Sequence, residues 1–351
     1  MVDFFSQPGQ SGPFWRFDLG TEVRAVGGSD ERLGGGARMS AMSELEACPR
    51  CPHDARRFSA LDCEHSPSHH TKRPRATTPE EVILEHVRFA SELSTVNTRA
   101  VGGELDVAYG EGPNEKLDVW GMGRLAERAP LFAFVHGGYW QEGSRQLSTF
   151  PVGPLVSAGV KVATVGYDLA PQVTLDTMVG QIAKALLFLD DLCQRSGSNV
   201  LHLMGHSAGA QLLLMALCKI GQPLQTLKSL FLVSGVFDLR PLVGTYINEP
   251  LKLDSEAASA HSPVLHATQL FPLLPPTTLL VYAENDPPSF KKQSQLLIQL
   301  LSQQQQTQVD NARQLLLKVL PNEDHFTIVE NLAKKDGQLT GIVVNSIFSL
   351  F

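Results

Sequence analysis

The sequence predicts an α/β protein built on a doubly wound, mostly parallel sheet with helices on both faces. Short continuous apolar runs, typical of strands buried on both sides, recur from residue 131 onward. Patterns with helical periodicity separate these runs. Stretches rich in glycine, histidine, serine and aspartate follow several predicted strand ends, which is where sheets of this kind bind ligands.

The composition describes a globular protein with a substantial core, because 43% of the 351 residues are hydrophobic and 19% are charged. The net charge of -7 and the lack of lysine and arginine clusters argue against a nucleic-acid partner. No apolar run approaches the roughly 18 residues that suggest a membrane span, so we expect no membrane partner. Five cysteines and no secretory signal pattern predict reduced thiols in the cytoplasm, with the nucleus as an alternative compartment.

Residues 1–76 differ from the rest, since they carry glycine runs and prolines with few apolar residues in any period. We expect an irregular, disordered leader there and one α/β domain over residues 77–351. Cysteine and histidine are frequent in the leader, at Cys48, Cys51, His53, Cys63, His65, His69 and His70. Cys48 and Cys51 have a zinc-ligand spacing, but no second pair completes it, so a biased leader without a metal is favoured over a zinc site.

The regular pattern begins with a helix start and a hairpin. Thr78-Pro79-Glu80-Glu81 combines a threonine cap, a proline in the first turn and acidic residues. Two alternating segments at 104–109 and 116–119 flank a glycine-rich turn and predict a β-hairpin. Buried strands are then predicted at 131–135, 160–165, 200–204, 227–233, 277–283 and 315–320.

Helices are predicted between these strands. One has an apolar stripe through Ile182, Leu186, Leu189 and Cys193, and further helices are expected at 208–220, at 288–301 and near the C-terminus. The glutamine run at 303–306 is predicted as a surface turn. Residues 236–270 are irregular and rich in proline, and we expect them to form a small segment that covers the site.

A Gly-x-Ser-x-Gly pattern, Gly205-His206-Ser207-Ala208-Gly209, lies between an apolar strand and a helical pattern. A serine hydroxyl is a poor nucleophile unless it is held at an exposed point beside a base. A sharp strand-to-helix turn does this, and its glycines let the backbone pass closely. The context therefore predicts Ser207 as a nucleophile, against the alternative of a plain glycine-rich connection.

A nucleophilic serine needs a base, and the base needs an acid that orients it. His325 follows the last predicted strand, so it is the candidate base, against the alternative of a surface histidine that caps a helix. Asp286 and Glu284 compete as the acid. Asp286 is favoured because it lies in the proline-stiffened loop, whereas Glu284 still sits at the strand end.

The stretch His136-Gly137-Gly138-Tyr139-Trp140 follows another buried strand. Glycine N–H groups approach an oxyanion closely, and the Ala208 N–H at a helix start supplies a further donor. We expect His136 to brace this loop rather than to transfer protons. For Tyr139 and Trp140, lining of a substrate pocket and ordinary packing under the loop stay equally open.

These motifs resemble the animal kynurenine formamidases (arylformamidases), which have the α/β-hydrolase fold. The residues that carry the resemblance are His136 to Trp140, Gly205 to Ala210, the run Phe231 to Leu239, Asp286-Pro287 with Phe290, Gln293 and Ser294, Asp324 to Phe326, and Ile328 to Leu332. The resemblance covers residues from about 105 to 351. Of these stretches, the run that ends at Leu239 and the stretch around His325 are the most specific.

The resemblance implies hydrolysis of N-formyl-L-kynurenine to L-kynurenine and formate, without a metal or an organic cofactor. It implies Ser207 as nucleophile, Asp286 as acid and His325 as base, with oxyanion donors at Gly137, Gly138 and Ala208. Two other functions stay open: a general short-acyl carboxylesterase, and a hydrolase fold kept as a non-catalytic binding module. The oligomeric state also stays open, with a homodimer as one alternative.

Overall fold

The structure is a computed structural model that describes residues 58–71, 73, 78–310 and 312–348. These residues belong to one compact unit. The strands are β1 Gly103–Ala108, β2 Lys116–Trp120, β3 Leu131–Val135, β4 Lys161–Val165, β5 Leu201–His206, β6 Leu227–Val233, β7 Thr277–Ala283 and β8 Gln314–Leu320.

The α-helices are α1 Ala60–His65, α2 Pro79–Ala100, α3 Val152–Ser157, α4 Leu175–Arg195, α5 Ala208–Ile220, α6 Asn248–Leu251, α7 Ser255–Ala260, α8 Ala267–Leu270, α9 Pro288–Gln308, α10 Thr327–Glu330 and α11 Gln338–Phe348. Short 3-10 helices lie at Pro67–His69, Arg240–Gly244, Pro263–Leu265, Phe271–Leu273 and Asn331–Ala333.

Within the described residues the strands form one eight-stranded sheet in the order β1-β2-β4-β3-β5-β6-β7-β8. The hairpin β1–β2 pairs with β4 in antiparallel fashion, and all pairs from β4 through β3 to β8 are parallel. The carboxyl ends of β3 and β5 to β8 therefore meet at one edge of the sheet. The predicted α/β-hydrolase fold, with a mostly parallel sheet, is confirmed.

Helices cover both faces of the sheet, and β3 shows why its sequence is continuously apolar. Leu131, Ala133 and Val135 pack into a core shared with α4, α5 and α9. The alternate residues Phe132 and Phe134 pack into a second core, shared with α2, α3 and α11. Because side chains alternate along a strand, two-sided burial leaves no position for a polar residue.

The helix start at Thr78 is confirmed in detail. The Thr78 hydroxyl accepts the Glu81 N–H, and the Glu81 carboxylate accepts the Thr78 N–H. This reciprocal pair is a capping box, and Pro79 occupies the first helical position, where its missing N–H has no cost. The buried thiols of Cys193 and Cys218 are free, as expected.

The predicted surface turn at residues 303–306 is wrong, because α9 continues through the whole glutamine run to Gln308. Glutamine is a good helix former, so nothing in this run ends the helix. The helix ends instead at Val309, which has a left-handed backbone conformation with φ of 53°. Low complexity by itself is therefore not a loop signal.

The predicted irregular leader differs from the structure at residues 58–71. Ser59 and Asp62 form a capping box at the start of α1. Asp62 also accepts the Tyr246 N–H at 3.1 Å, and the Ser66 hydroxyl bonds to the Tyr246 hydroxyl at 2.8 Å. Tertiary contacts therefore stabilise a short helix that has no periodic apolar signal. Residues 1–57 lie outside the described residues, so the leader before residue 58 stays a prediction.

The expected covering segment at 236–270 consists of short helices rather than irregular chain. Its contacts with the loop after β3 include a hydrogen bond of 2.7 Å from the Gln141 side chain to the Ile247 carbonyl. Tyr246 from the same segment contacts α1 through Asp62. The segment therefore packs beside the loop that carries the His136-Gly137-Gly138 motif.

We predict that Gly209→Ala destabilises the protein by about 1–3 kcal/mol, because overpacking a tight site costs this much. A Cβ at Gly209 would lie 2.2 Å from the Val135 carbonyl oxygen and 2.5 Å from that of His136. Gly341→Ala in α11 is the matched control, since a Cβ there meets nothing within 4 Å. The control is expected to be neutral or to stabilise by about 0.5–1 kcal/mol. Urea unfolding measures both, and a wild-type midpoint for Gly209→Ala would contradict the packing argument.

A second prediction concerns His202, whose ring nitrogens are buried in β5 without hydrogen-bond partners among the described residues. Burial, followed by the nearby charge of Lys228, lowers the pKa of His202 to about 4. The unfolded chain takes up this proton near pH 6.5, so the histidine costs stability as pH falls from 6.5 towards 4. When the pH falls from 7 to 4.5, we expect the free energy of unfolding of His202→Leu to fall by about 2–3 kcal/mol less than that of wild type. Urea unfolding at the two pH values measures this, and an equal fall in both proteins would disprove it.

Candidate active site

Ser207 lies at the turn between β5 and α5. Its backbone has φ of 55° and ψ of -120°, an uncommon conformation for a residue with a side chain, and its N–H donates to the Val233 carbonyl at 2.9 Å. A Cβ at Gly205 would lie 2.5 Å from the Gly209 carbonyl oxygen, so only glycine fits beside the turn. Ser207 is 2% exposed, which differs from the expected exposed position, and the Gly137 backbone packs directly against it.

Asp286 is a buried carboxylate in the loop after β7, and both of its oxygens accept hydrogen bonds. Oδ1 accepts from His325 Nδ1 at 2.8 Å. Oδ2 accepts from the Ser234 hydroxyl at 2.6 Å and from the Ala283 N–H at 2.7 Å. Such hydrogen bonds offset the cost of burying a charge. In neutral His325 the proton is thereby held on Nδ1, which leaves Nε2 as an acceptor.

Glu284, the competing acid, is placed elsewhere. It is exposed, and its side chain accepts the Asn322 N–H at 2.8 Å. The structure thus pairs His325 with Asp286 and uses Glu284 to tie the β7 end to the loop after β8.

His325 is buried between aromatic rings. The edge of Phe290 approaches it with a centroid distance of 4.9 Å, and the His206 ring lies at 4.6 Å. His206 Nε2 donates to the His325 carbonyl at 2.9 Å. Burial, followed by the charge of His325, lowers the pKa of His206 well below its usual value, so His206 is neutral. His206, which directly precedes Ser207, thereby connects the end of β5 to the loop of His325.

The glycines after β3 lie against the serine turn. A Cβ at Gly137 would be 2.8 Å from Ser207 Cβ, so the Gly137 backbone is in direct contact with the serine. Gly138 has φ of 101°, and a Cβ there would meet the Glu142 carbonyl oxygen at 2.3 Å. Ala208 is the first residue of α5, so its N–H has no acceptor within the helix. These backbone groups can converge on an oxyanion formed at Ser207.

His136 stacks on Tyr167 with a centroid distance of 4.2 Å, and its Nδ1 donates to the Gly137 carbonyl at 2.9 Å. The Tyr167 hydroxyl donates to the His136 carbonyl at 2.9 Å. Burial lowers the pKa of His136 to about 4, so the ring is neutral at physiological pH. These contacts are those of a residue that braces the loop.

Tyr139 and Trp140 have different surroundings. Trp140 is fully buried in the core, and its indole N–H donates to the Gln211 side chain at 2.9 Å. Tyr139 approaches Phe290 edge-on at 6.2 Å, and its hydroxyl donates to the His65 carbonyl at 2.5 Å. Trp140 thus packs under the loop, while Tyr139 lies in the aromatic row that reaches His325 through Phe290.

Sequence reasoning missed three residues of this site: Ser234, His206 in a structural role, and Phe290 as a neighbour of His325. Ser234 stands directly after β6 at the carboxyl edge, with φ of 46°. A polar residue at this edge of the sheet indicates a possible site residue, but serine is common after strands, so the signal is not specific. The two ring contacts of His325 depend on tertiary packing, and no spacing in the sequence encodes them.

Among residues 58–71, 73, 78–310 and 312–348, no group of three or more histidine, cysteine or acidic side chains could hold a metal. Cys48, Cys51 and His53 of the considered zinc site lie outside that part of the chain. None of the helices in the described part is long and apolar enough to cross a bilayer.

The comparisons identify the class of protein first. A family described as alpha/beta hydrolase fold matches residues 132–315, more than half of the chain, so the chain belongs to that class. A solved esterase of Pyrobaculum calidifontis has a TM-score of 0.60 at 19% identity, covering 77% of this chain and 93% of its own. At this identity the likeness shows the fold alone.

Two curated relatives narrow the class. A kynurenine formamidase of Salmo salar is 38% identical over 293 residues, which are 81% of this chain and 94% of the relative. A kynurenine formamidase of Danio rerio is 36% identical over 292 residues, which are 82% of this chain and 95% of the relative. The chain belongs to the kynurenine formamidase family.

We predict that Asp286→Asn lowers kcat by roughly 10³–10⁴-fold, because the amide no longer holds the productive tautomer of His325. Glu284→Gln is the matched control and is expected to keep kcat within a fewfold, since that carboxylate is exposed and bonds to the Asn322 backbone rather than to His325. Hydrolysis of p-nitrophenyl acetate measures both. Equal losses in the two variants would reject Asp286 as the partner of the base.

Proposed function

We propose that this protein hydrolyses N-formyl-L-kynurenine to L-kynurenine and formate. The observation that carries the proposal is the buried Asp286–His325 pair at the same sheet edge as the strained Ser207 turn, in a chain of the kynurenine formamidase family. The hydrolysed bond is the C–N bond of the formamide.

The first half of the reaction forms a formyl-serine. Ser207 attacks the formyl carbon while His325 Nε2 takes the hydroxyl proton, and Asp286 stabilises the imidazolium through the 2.8 Å bond to Nδ1. Backbone N–H groups of Gly137, Gly138 and Ala208 stabilise the oxyanion. His325 then protonates the departing aniline nitrogen, and L-kynurenine leaves.

The second half reverses these roles. Water gives a proton to His325 and attacks the formyl-serine, and collapse of the intermediate releases formate and returns the proton to Ser207. A formyl group is small, so the acyl side of the site need not be large, which suits a serine as buried as Ser207. The row of Tyr139 and Phe290 beside His325 supports an aromatic leaving group, which such rings contact favourably.

The proposal also includes the cellular compartment and the oligomeric state. We expect the enzyme to act in the cytoplasm, with the nucleus as a further compartment, and to assemble as a homodimer. Both rest on the sequence and on the family alone.

The test measures kynurenine release from N-formyl-L-kynurenine by the purified protein, with p-nitrophenyl acetate as a second substrate. Ser207→Ala is expected to lower both activities by roughly three orders of magnitude or more without a change in melting temperature, because it removes only a hydroxyl. Ester cleavage without formamide cleavage would replace the proposal by a general short-acyl esterase. Wild-type activity in Ser207→Ala would remove the nucleophile assignment.

A further inference from the structure

The loop that carries His325 is held on both sides by residues that precede α2. The Thr71 hydroxyl donates to Asp324 Oδ2 at 2.5 Å. The Arg73 guanidinium donates to Glu330 Oε1 at 2.6 Å and lies 5.5 Å from the centre of the Phe326 ring. Both neighbours of His325 in the chain are therefore contacted from this segment.

Asp324 organises the turn around His325. Its Oδ1 accepts the N–H groups of Phe326 at 2.9 Å and Thr327 at 2.8 Å, and the Thr327 hydroxyl accepts the Asp324 N–H at 2.8 Å. Burial opposes ionisation of Asp324, but the Thr327 N–H and the Thr71 hydroxyl, together with Arg73 and the Phe326 N–H, outweigh it and lower the pKa of Asp324. The turn itself uses Oδ1 of Asp324, and Thr71 is the hydrogen-bond donor to the other oxygen, Oδ2.

Glu330 receives a matching arrangement at the end of α10. Its Oε1 accepts both the Arg73 guanidinium and His86 Nδ1, the latter at 2.7 Å. Burial opposes its ionisation, but the hydrogen bond from His86, together with Arg73, lowers the pKa of Glu330. The ion pair joins Arg73 to α10, which begins two residues after His325, and both side chains of the pair are nearly buried.

The same segment also reaches the glycine loop at its other end. The His65 carbonyl accepts the Tyr139 hydroxyl, and Tyr139 follows Gly138 directly. His65 therefore contacts the candidate oxyanion loop, while Thr71 and Arg73 contact the loop of the candidate base. No sequence motif connects these regions.

We propose that Thr71 and Arg73 are positioning residues for His325, acting through Asp324 and Glu330. The proposal rests on the catalytic roles of Ser207 and His325 proposed above. A general base works only when it stays within hydrogen-bond reach of the proton it takes, and a displacement of about 1 Å can cost up to 100-fold in rate. Asp286 holds one ring nitrogen of His325, but one bond does not fix the backbone from which the ring extends.

The experiment compares Thr71→Val, Thr71→Ser and Arg73→Met in the full-length protein. The readouts are kcat and KM for p-nitrophenyl acetate and the rate at which a fluorophosphonate labels Ser207. We expect Thr71→Val and Arg73→Met to lower kcat and the labelling rate by about 10–100-fold with KM within twofold. Thr71→Ser keeps the hydroxyl and should restore rates near wild type.

Two controls separate positioning from general stability. Thr98→Val removes an exposed hydroxyl that bonds at 2.8 Å within α2, and it should leave every rate unchanged. In a His325→Ala background, Thr71→Val should have no further effect on the residual rate, because the residue that Thr71 positions is absent. Melting temperatures of all variants are measured alongside.

Wild-type rates in Thr71→Val and Arg73→Met would overturn the proposal. It would also be overturned if Thr71→Ser lost as much activity as Thr71→Val, or if Thr71→Val still lowered the rate without His325. Labelling of Ser207 does not depend on the natural substrate. A protein that is labelled but releases no kynurenine would therefore disprove the proposed substrate while the same rates still decide the roles of Thr71 and Arg73.

Discussion

Close backbone packing around Ser207 is the constraint on which the site depends. Gly205, Gly209 and Gly137 each leave less than 3 Å for a Cβ, and the atoms in the way belong to the backbone or to Ser207 itself. The ends of β3 and β5 and the start of α5 can meet only because these three positions lack side chains. The strained φ of Ser207 persists because the surrounding packing holds it.

A second constraint is electrostatic. A carboxylate as deeply buried as Asp286 loses its hydration, and protein donors must replace it. The Ser234 hydroxyl, the Ala283 N–H and His325 Nδ1 supply these donors from three different segments. The hydrogen bond from His325 Nδ1 both stabilises the charge of Asp286 and fixes the orientation of the imidazole. The other two bonds hold the carboxylate in the position that this requires.

Much of the fold could be predicted because it depends on local pattern. Buried parallel strands are continuously apolar, and the predictions at 227–233 and 277–283 match β6 and β7 residue for residue. The errors have physical reasons as well. The glutamine run in α9 has helical propensity that its low complexity concealed. The helix α1 depends on contacts with Tyr246, far away in the sequence.

The sequence by itself determined the succession of the buried strands and their main helices, the tight turn at Ser207 and the candidate residues past several strand ends, because these follow from periodicity, glycine placement and chain order. Only the tertiary structure paired His325 with Asp286 rather than with Glu284, since the pairing depends on which carboxylate faces His325 at the sheet edge. It alone also joined Ser234 to Asp286 and Thr71 to Asp324. Contacts between residues this far apart in the chain arise from packing, and no local pattern encodes them.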